Sequence, residues 1–257
     1  MSKTYKALQK AEAEKSTRSA APPVARPRGR WKAASHPLEE YRGMKYKILS
    51  SRSNQAIKTL LFCSSTEGEG TSTVLINFAL TLASEGDKVL LIDANLRHPS
   101  LHDAFSLAKE NGLIDLLLEK STVDEVIKRT PVNNLSVITI GSPPPNLSLD
   151  HGPWTVDSSP DNPSLILKSN PLDSHIDAMK AEADWVFFDS PPVNSSNTSL
   201  VLAGKVDGVV LVVEAEKTRW EVAQSAREQI ESANGKIRGA ILNNRRFYIP
   251  GWLYKRL

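Results

Sequence analysis

The chain has 257 residues, 40% of them apolar and 24% charged, the balance of an ordinary soluble globular protein. A single cysteine, Cys63, excludes a disulfide framework and a cysteine-rich metal or iron–sulfur site. The net charge of +3 hides an asymmetry: residues 1–35 carry +7 and the rest of the chain −4. Such a basic arm suits an anionic membrane surface, an acidic partner or nucleic acid, or is a solvated leader. No stretch approaches the ~18 apolar residues that span a bilayer, and "MSKTYKALQKAEAEK" lacks the apolar core of a signal peptide. A cytoplasmic protein is expected.

Residues 1–15 read as a short amphipathic helix with Tyr5, Leu8 and Ala11 on one face, too short to stand alone and so expected to dock. Residues 16–36, rich in Pro, Arg, Ala and Ser, read as a basic linker. Pro37 then opens a helical segment, "LEEYRGMKYKILSS". From there continuously apolar runs at 58–63, 88–93, 135–140, 185–189, 207–214 and 237–243 read as parallel strands buried on both faces. Helical patterns at 72–85, 99–107, 111–119, 121–129, 171–183, 195–204 and 218–233 alternate with them. The expected fold is α/β, a mostly parallel sheet with helices on both faces. Residues 141–170, with six prolines and little periodicity, read as an irregular insertion in a domain spanning 37–246, and 247–257 as an aromatic, basic tail.

Three strand ends carry polar residues that a core would not accept. After the first strand comes "SSTEGEGTST", residues 64–73. Its glycines let backbone N–H groups approach phosphate oxygens, and the following helix aims its N-terminal dipole at them. Aligned with G-x-x-x-x-G-K-[ST], Ser65 replaces the first glycine, Gly70 is the last, Thr71 replaces the lysine and Ser72 keeps the magnesium-binding hydroxyl. The second strand ends at Asp93 in "VLLIDANLRHPSL" and another at Asp189 in "WVFFDSPPV". A carboxylate at a buried strand tip beside a phosphate loop holds Mg²⁺ through water; each alone also reads as a helix cap. Together, in this order, they point to a nucleotide site.

These residues resemble the bacterial tyrosine kinases (BY-kinases) of capsule and exopolysaccharide systems, P-loop proteins related to the MinD/ParA group. The family loop S-x-x-P-G-E-G-K-S-T compares with Ser64–Thr73, the apolar-D-x-D-x-R motif with Asp93, Asn95 and Arg97, and the apolar-D-x-P-P motif with Asp189, Pro191 and Pro192. The resemblance implies a P-loop NTPase fold of the MinD/ParA type, ATP and Mg²⁺ as cofactors, and a nucleotide site built from Gly68, Glu69, Gly70, Thr71, Ser72, Thr73 and Asn243. It implies metal binding by Ser72, Asp93 and Asp189, with Asp93, Arg97 and Asp189 as catalytic residues. It further implies autophosphorylation of tail tyrosines, here Tyr248 or Tyr254, and a homo-oligomer joined through Glu39, Arg42 and Lys45. The partner it implies is a membrane-embedded polysaccharide chain-length determinant, which would recruit the protein to the inner face of the plasma membrane, with the basic arm available to anionic lipid; no nucleic acid is implied.

Four departures stand against that pattern: Thr71 for lysine, Asn95 for aspartate, Glu67 for proline, and a tail with two tyrosines rather than a cluster. Loss of a charge-assisted phosphate contact costs roughly 1.5–3 kcal/mol, or about 10- to 100-fold in affinity. Loss of transition-state charge stabilisation costs on the order of 100- to 1,000-fold in rate. Three functions therefore stay open: a tyrosine autokinase that binds nucleotide, a non-catalytic pseudokinase scaffold, and a MinD/ParA-like positioning ATPase. Against the last, Thr66 occupies the place of the MinD/ParA signature lysine.

Overall fold

The structure, a computed structural model, describes residues 38–50, 57–142 and 171–245. The docking helix expected at 1–15, the linker, most of the 141–170 insertion, and the tail with Tyr248 and Tyr254 lie outside them. In chain order the elements are α1 (Leu38–Ser50), β1 (Thr59–Ser64), α2 (Thr71–Ser84), β2 (Val89–Asp93), α3 (Leu101–Phe105), α4 (Leu113–Leu117) and α5 (Val123–Val126). Next come β3 (Ile127–Arg129), β4 (Leu135–Ile138), α6 (Pro171–Glu182), β5 (Trp185–Asp189), α7 (Thr198–Ala203), β6 (Gly208–Glu214), α8 (Trp220–Ser232) and β7 (Ile237–Asn243).

The seven strands form one sheet in the order β3-β4-β2-β5-β1-β6-β7. All neighbours are parallel except β3, which runs antiparallel to β4. The apolar runs are buried on both faces because successive side chains point to opposite sides. Leu60 and Phe62 of β1 enter one core with Val74, Phe78 and Leu82 of α2 and Tyr41 and Ile48 of α1. Leu61 and Cys63 enter the other, with Ile176 and Met179 of α6, Leu202 of α7 and Ile230 of α8. In the first core Phe78 stacks on Phe187 at 5.3 Å, and Phe62 meets Phe187 edge-on at 5.5 Å, geometries favoured by the ring quadrupoles. Burial pushes the Cys63 thiol up to about 12, so it is a packing residue.

One expected helix divides. Residues 121–129 yield a single helical turn, in which Thr122 N donates to Glu125 Oε2 at 2.8 Å, and then turn into β3. Ile127, Lys128 and Arg129 pair with Ile138, Val137 and Ser136, so an edge ladder overrides the helical pattern. Lys128 fixes the turn by donating to the carbonyls of Glu110 and Asn111 at 2.8 and 2.9 Å.

The parallel order brings β1, β2 and β5 together at their carboxyl ends. Asp93 and Asp189 stand opposite each other in register on β2 and β5, and Phe62 of β1 stands opposite Asp189. The glycine loop therefore leaves the sheet from the strand next to Asp189 and two strands from Asp93.

Candidate functional site

The loop from Ser65 to Gly70 closes over the end of β1. Gly68 and Gly70 both take left-handed backbone conformations, φ +82° and +85°, which side-chain-bearing residues rarely adopt. Gly70 is also crowded: a Cβ there would lie 2.3 Å from Asn243 Nδ2. The Asn243 amide, buried at the end of β7, donates to the Glu69 carbonyl at 2.8 Å and so pins the loop from β7.

Glu69, 1% exposed, turns its carboxylate inward. Oε2 accepts from Ser65 N at 2.7 Å and Thr66 N at 3.0 Å, and the Ser65 hydroxyl donates to both oxygens. Across the loop, Thr218 Oγ1 donates to Oε1, and Glu214 N approaches it at 3.5 Å. The carboxylate thus satisfies two N–H groups of the loop and ties the loop to the turn between β6 and α8. Of the residues expected to bind nucleotide, Glu69 and Asn243 are engaged in holding the loop's shape.

The loop rims a cleft of about 400 Å³, lined on the far side by Asn95, His98, Ser190 and Pro192. Thr71, in the lysine position, opens α2 and is nearly buried, while Ser72 and Thr73 are half-buried beside it. No described residue lining the cleft is Lys or Arg. Arg97 is not among the lining side chains and donates from Nη1 to the Ser195 carbonyl at 3.2 Å.

The two strand-end carboxylates differ sharply in their surroundings. Asp93 Oδ1 accepts from Asn95 N at 3.2 Å, and Oδ2 accepts from Ser100 N at 2.9 Å and Leu101 N at 3.0 Å. It organises the turn that leads into α3, and Asn95 Oδ1 adds a hydrogen bond from His98 N at 3.1 Å. Asp189 is 0% exposed, and neither of its oxygens has a hydrogen bond of regular geometry. The residues after it cannot help: Ser190 N donates to the Phe62 carbonyl at 3.1 Å, and Pro191 and Pro192 have no N–H. Burial therefore holds the Asp189 carboxyl well above the usual carboxylate range, with Asp93 adding repulsion and the nearby Ser72 hydroxyl offsetting only a part. Burial raises Asp93 as well, against the pull of its three backbone donors. An unpartnered buried carboxylate next to a serine hydroxyl and a second carboxylate is a donor set suited to a hard divalent cation.

On the opposite flank, Arg42 and Lys45 of α1 meet the end of α2 within the same chain. Arg42 Nε pairs with Glu85 at 3.0 Å, and Lys45 pairs with Glu85 at 3.2 Å and with Asp87. The side chain of Glu39 lies outside the described residues.

Comparison with known proteins places this geometry. Residues 57–241 match a family model described as an AAA domain. The tyrosine-protein kinase YwqD of Bacillus subtilis is 33% identical over 208 residues, which cover 81% of this chain and 81% of that protein. Among solved structures, the chimerical protein CapA2B2 superposes with a TM-score of 0.71 at 28% identity, covering 83% of this chain and 87% of that one. The septum site-determining protein MinD of Pyrococcus horikoshii, at 20% identity and a TM-score of 0.57 over 78% and 76% of the two chains, shares the fold. A parallel sheet with a glycine loop and two aspartates at adjoining strand ends, matched over most of its length to such proteins, shows that the chain belongs to the bacterial tyrosine kinase family of AAA-domain P-loop proteins.

Proposed function

We propose that the protein binds a magnesium nucleotide, ATP, in the cleft between the Ser65–Gly70 loop and the Asp93–Asp189 pair. It does so to regulate a membrane-embedded chain-length-determining partner in exopolysaccharide or capsule biosynthesis and export. The observation that carries this reading is Asp189. A buried carboxylate without a partner is costly, and a divalent cation is the partner that its neighbours, the Ser72 hydroxyl and Asp93, can share. Ser72 would hold the ion directly, and Asp189 and Asp93 would hold it through water. The bound ion would neutralise phosphate charge, the task for which the cleft has no lysine of its own.

With Thr71 in the lysine position, phosphoryl transfer is expected to be weak, on the order of 100- to 1,000-fold slower than with lysine. Tyr248 and Tyr254 are the acceptors to examine. The homo-oligomer, cytoplasmic placement and recruitment to the inner membrane face belong to the same proposal, with the basic segment 1–35 as the lipid-facing element. If α1 joins subunits, Arg42 and Lys45 must exchange or share their pairing with Glu85 and Asp87.

The test is titration calorimetry with Mg-ATP on the unaltered chain, Thr71→Lys and Asp189→Ala, followed by mass spectrometry of the tail after incubation with ATP. Binding by the unaltered chain that Asp189→Ala abolishes supports the reading. A specific observation favours a second one: among the described residues lining the cleft, none is Lys or Arg. Absence of binding by the unaltered chain, with binding gained on Thr71→Lys, would establish a pseudokinase scaffold instead.

A further inference from the structure

We infer that Lys217, on the turn between β6 and α8, supplies the phosphate-binding cation that the loop itself has lost at Thr71. The ammonium lies 4.0 Å from the point where a Cβ on Gly68 would sit, at the lip of the glycine loop. The stem is long and the side chain 65% exposed, so it can swing. In the structure it rests on Glu214 Oε2 at 2.7 Å.

The turn that carries Lys217 is fastened to the loop at several points. Thr218 donates to the buried carboxylate of Glu69, and Glu214 N approaches the same carboxylate at 3.5 Å. Ala215 N donates to the Asn243 carbonyl at 2.9 Å, Asn244 Nδ2 to Glu214 Oε1 at 3.2 Å, and Asn243 in turn holds the Glu69 carbonyl. Lys217 is thus a long, exposed cation on a fixed base beside the phosphate loop. The alternative cation, Arg97, is engaged by the Ser195 carbonyl.

Glu214 holds the ammonium in an exposed pair, which is weak. The phosphates of a bound nucleoside triphosphate present several oxygens and a larger negative charge, so Lys217 exchanges one partner for the other. The ligand class is a nucleoside di- or triphosphate; a monophosphate is too short to gain from it.

This inference rests on the nucleotide-binding reading above, and the experiment separates the two. Mg-ATP and AMP binding are measured by calorimetry on the unaltered chain, Lys217→Ala, Lys217→Arg, Glu214→Gln and the double variant Thr71→Lys/Lys217→Ala, each checked for an unchanged melting temperature. The expected result is that Lys217→Ala weakens Mg-ATP about 10- to 100-fold and leaves AMP unchanged, while Lys217→Arg retains most of the affinity. Glu214→Gln keeps or tightens binding because it frees the lysine, and Thr71→Lys makes the chain indifferent to Lys217→Ala. If the unaltered chain binds and Lys217→Ala binds equally, this inference falls and the functional reading stands. Equal weakening by Lys217→Ala and Glu214→Gln would mean that the pair only shapes the turn, which also overturns it. Absence of binding by the unaltered chain overturns both.

Discussion

Glu69 offers the sharpest test of how the loop is held. Its Oε2 faces two backbone donors that cannot turn away, Ser65 N at 2.7 Å and Thr66 N at 3.0 Å, whereas its Oε1 faces mainly hydroxyls, those of Ser65 and Thr218. In Glu69→Gln the amide oxygen must take the seat of Oε2. The NH₂ then faces the two hydroxyls, which rotate to accept, and only the long contact from Glu214 N is forfeited. The cost is the difference between charged and neutral hydrogen bonds, about 1–2 kcal/mol. In Glu69→Ala the fully buried Ser65 N has no acceptor, water replaces only the one at exposed Thr66, and the tie to Thr218 is cut. That sums to about 2–4 kcal/mol, from one unsatisfied buried donor plus the lost contacts. Urea unfolding at neutral pH, with unchanged slope, reads both values. A Gln variant as unstable as the Ala variant, or an Ala variant as stable as the unaltered chain, would refute the account.

Gly70→Ala should cost about 2–4 kcal/mol, combining the left-handed backbone penalty with displacement of the Asn243 amide 2.3 Å away. Gly68→Ala, with only the tip of Lys217 4.0 Å off, should cost less; urea unfolding of the two variants reads the difference. Asp189→Asn should stabilise the apoprotein, and increasingly so as pH rises. A carboxyl raised from 3.8 to about 8 favours the native state fully below pH ~4 and loses that contribution progressively up to about pH 8. The melting-temperature gap between variant and unaltered chain should widen between pH 5 and pH 8.5; a constant gap contradicts the buried, unpartnered state. Asp207 has the opposite sign. Burial works to raise its carboxyl, but donors from Lys58 N, Thr59 N and Thr59 Oγ1 at 2.8–2.9 Å, with Lys180 nearby, hold it below the usual range. Its contribution is present above pH ~4 and disappears as pH falls, so Asp207→Asn should cost about 1–3 kcal/mol at pH 7 and progressively less in acid melts.

The central strands were legible because a strand buried on both faces must be apolar through its middle, and residues 60–63, 89–92 and 185–188 are. β3 was not: three residues, "IKR", carry no periodicity, and only the presence of β4 beside them makes a strand. At the site, the loop and the two aspartates could be read from their positions at strand ends, yet their individual duties could not. The hydroxyl that donates to the Glu69 carboxylate from across the loop and the amide that donates to its carbonyl lie on distant segments, Thr218 being 149 residues on and Asn243 174. Short motifs do not record such ties. Lys217 escaped notice for the same reason, since its nearness to Gly68 is a property of the sheet order, β6 lying next to β1.

The contrast between Asp93 and Asp189 is nevertheless written in the residues that come after each of them in the chain. After Asp93 the chain turns back and offers three backbone N–H groups, from Asn95, Ser100 and Leu101. After Asp189 it runs into Pro191 and Pro192, which have none to offer, while the one intervening N–H, that of Ser190, is taken by Phe62. Two carboxylates opposite each other on adjoining strands are thus given different states, one held by three backbone donors and one left open. The open one has most of its acceptor capacity left for an incoming cation, and Asp93 keeps a smaller share at Oδ1, which accepts one N–H. A scaffold that had no use for such a cation would be more stable with Asn in that position, because the amide is neutral and the desolvation cost falls. Asp189, in a pocket that withholds every regular hydrogen bond from it, is therefore the residue that separates the two readings: a cation site gives its carboxylate a partner, and a scaffold gives it none.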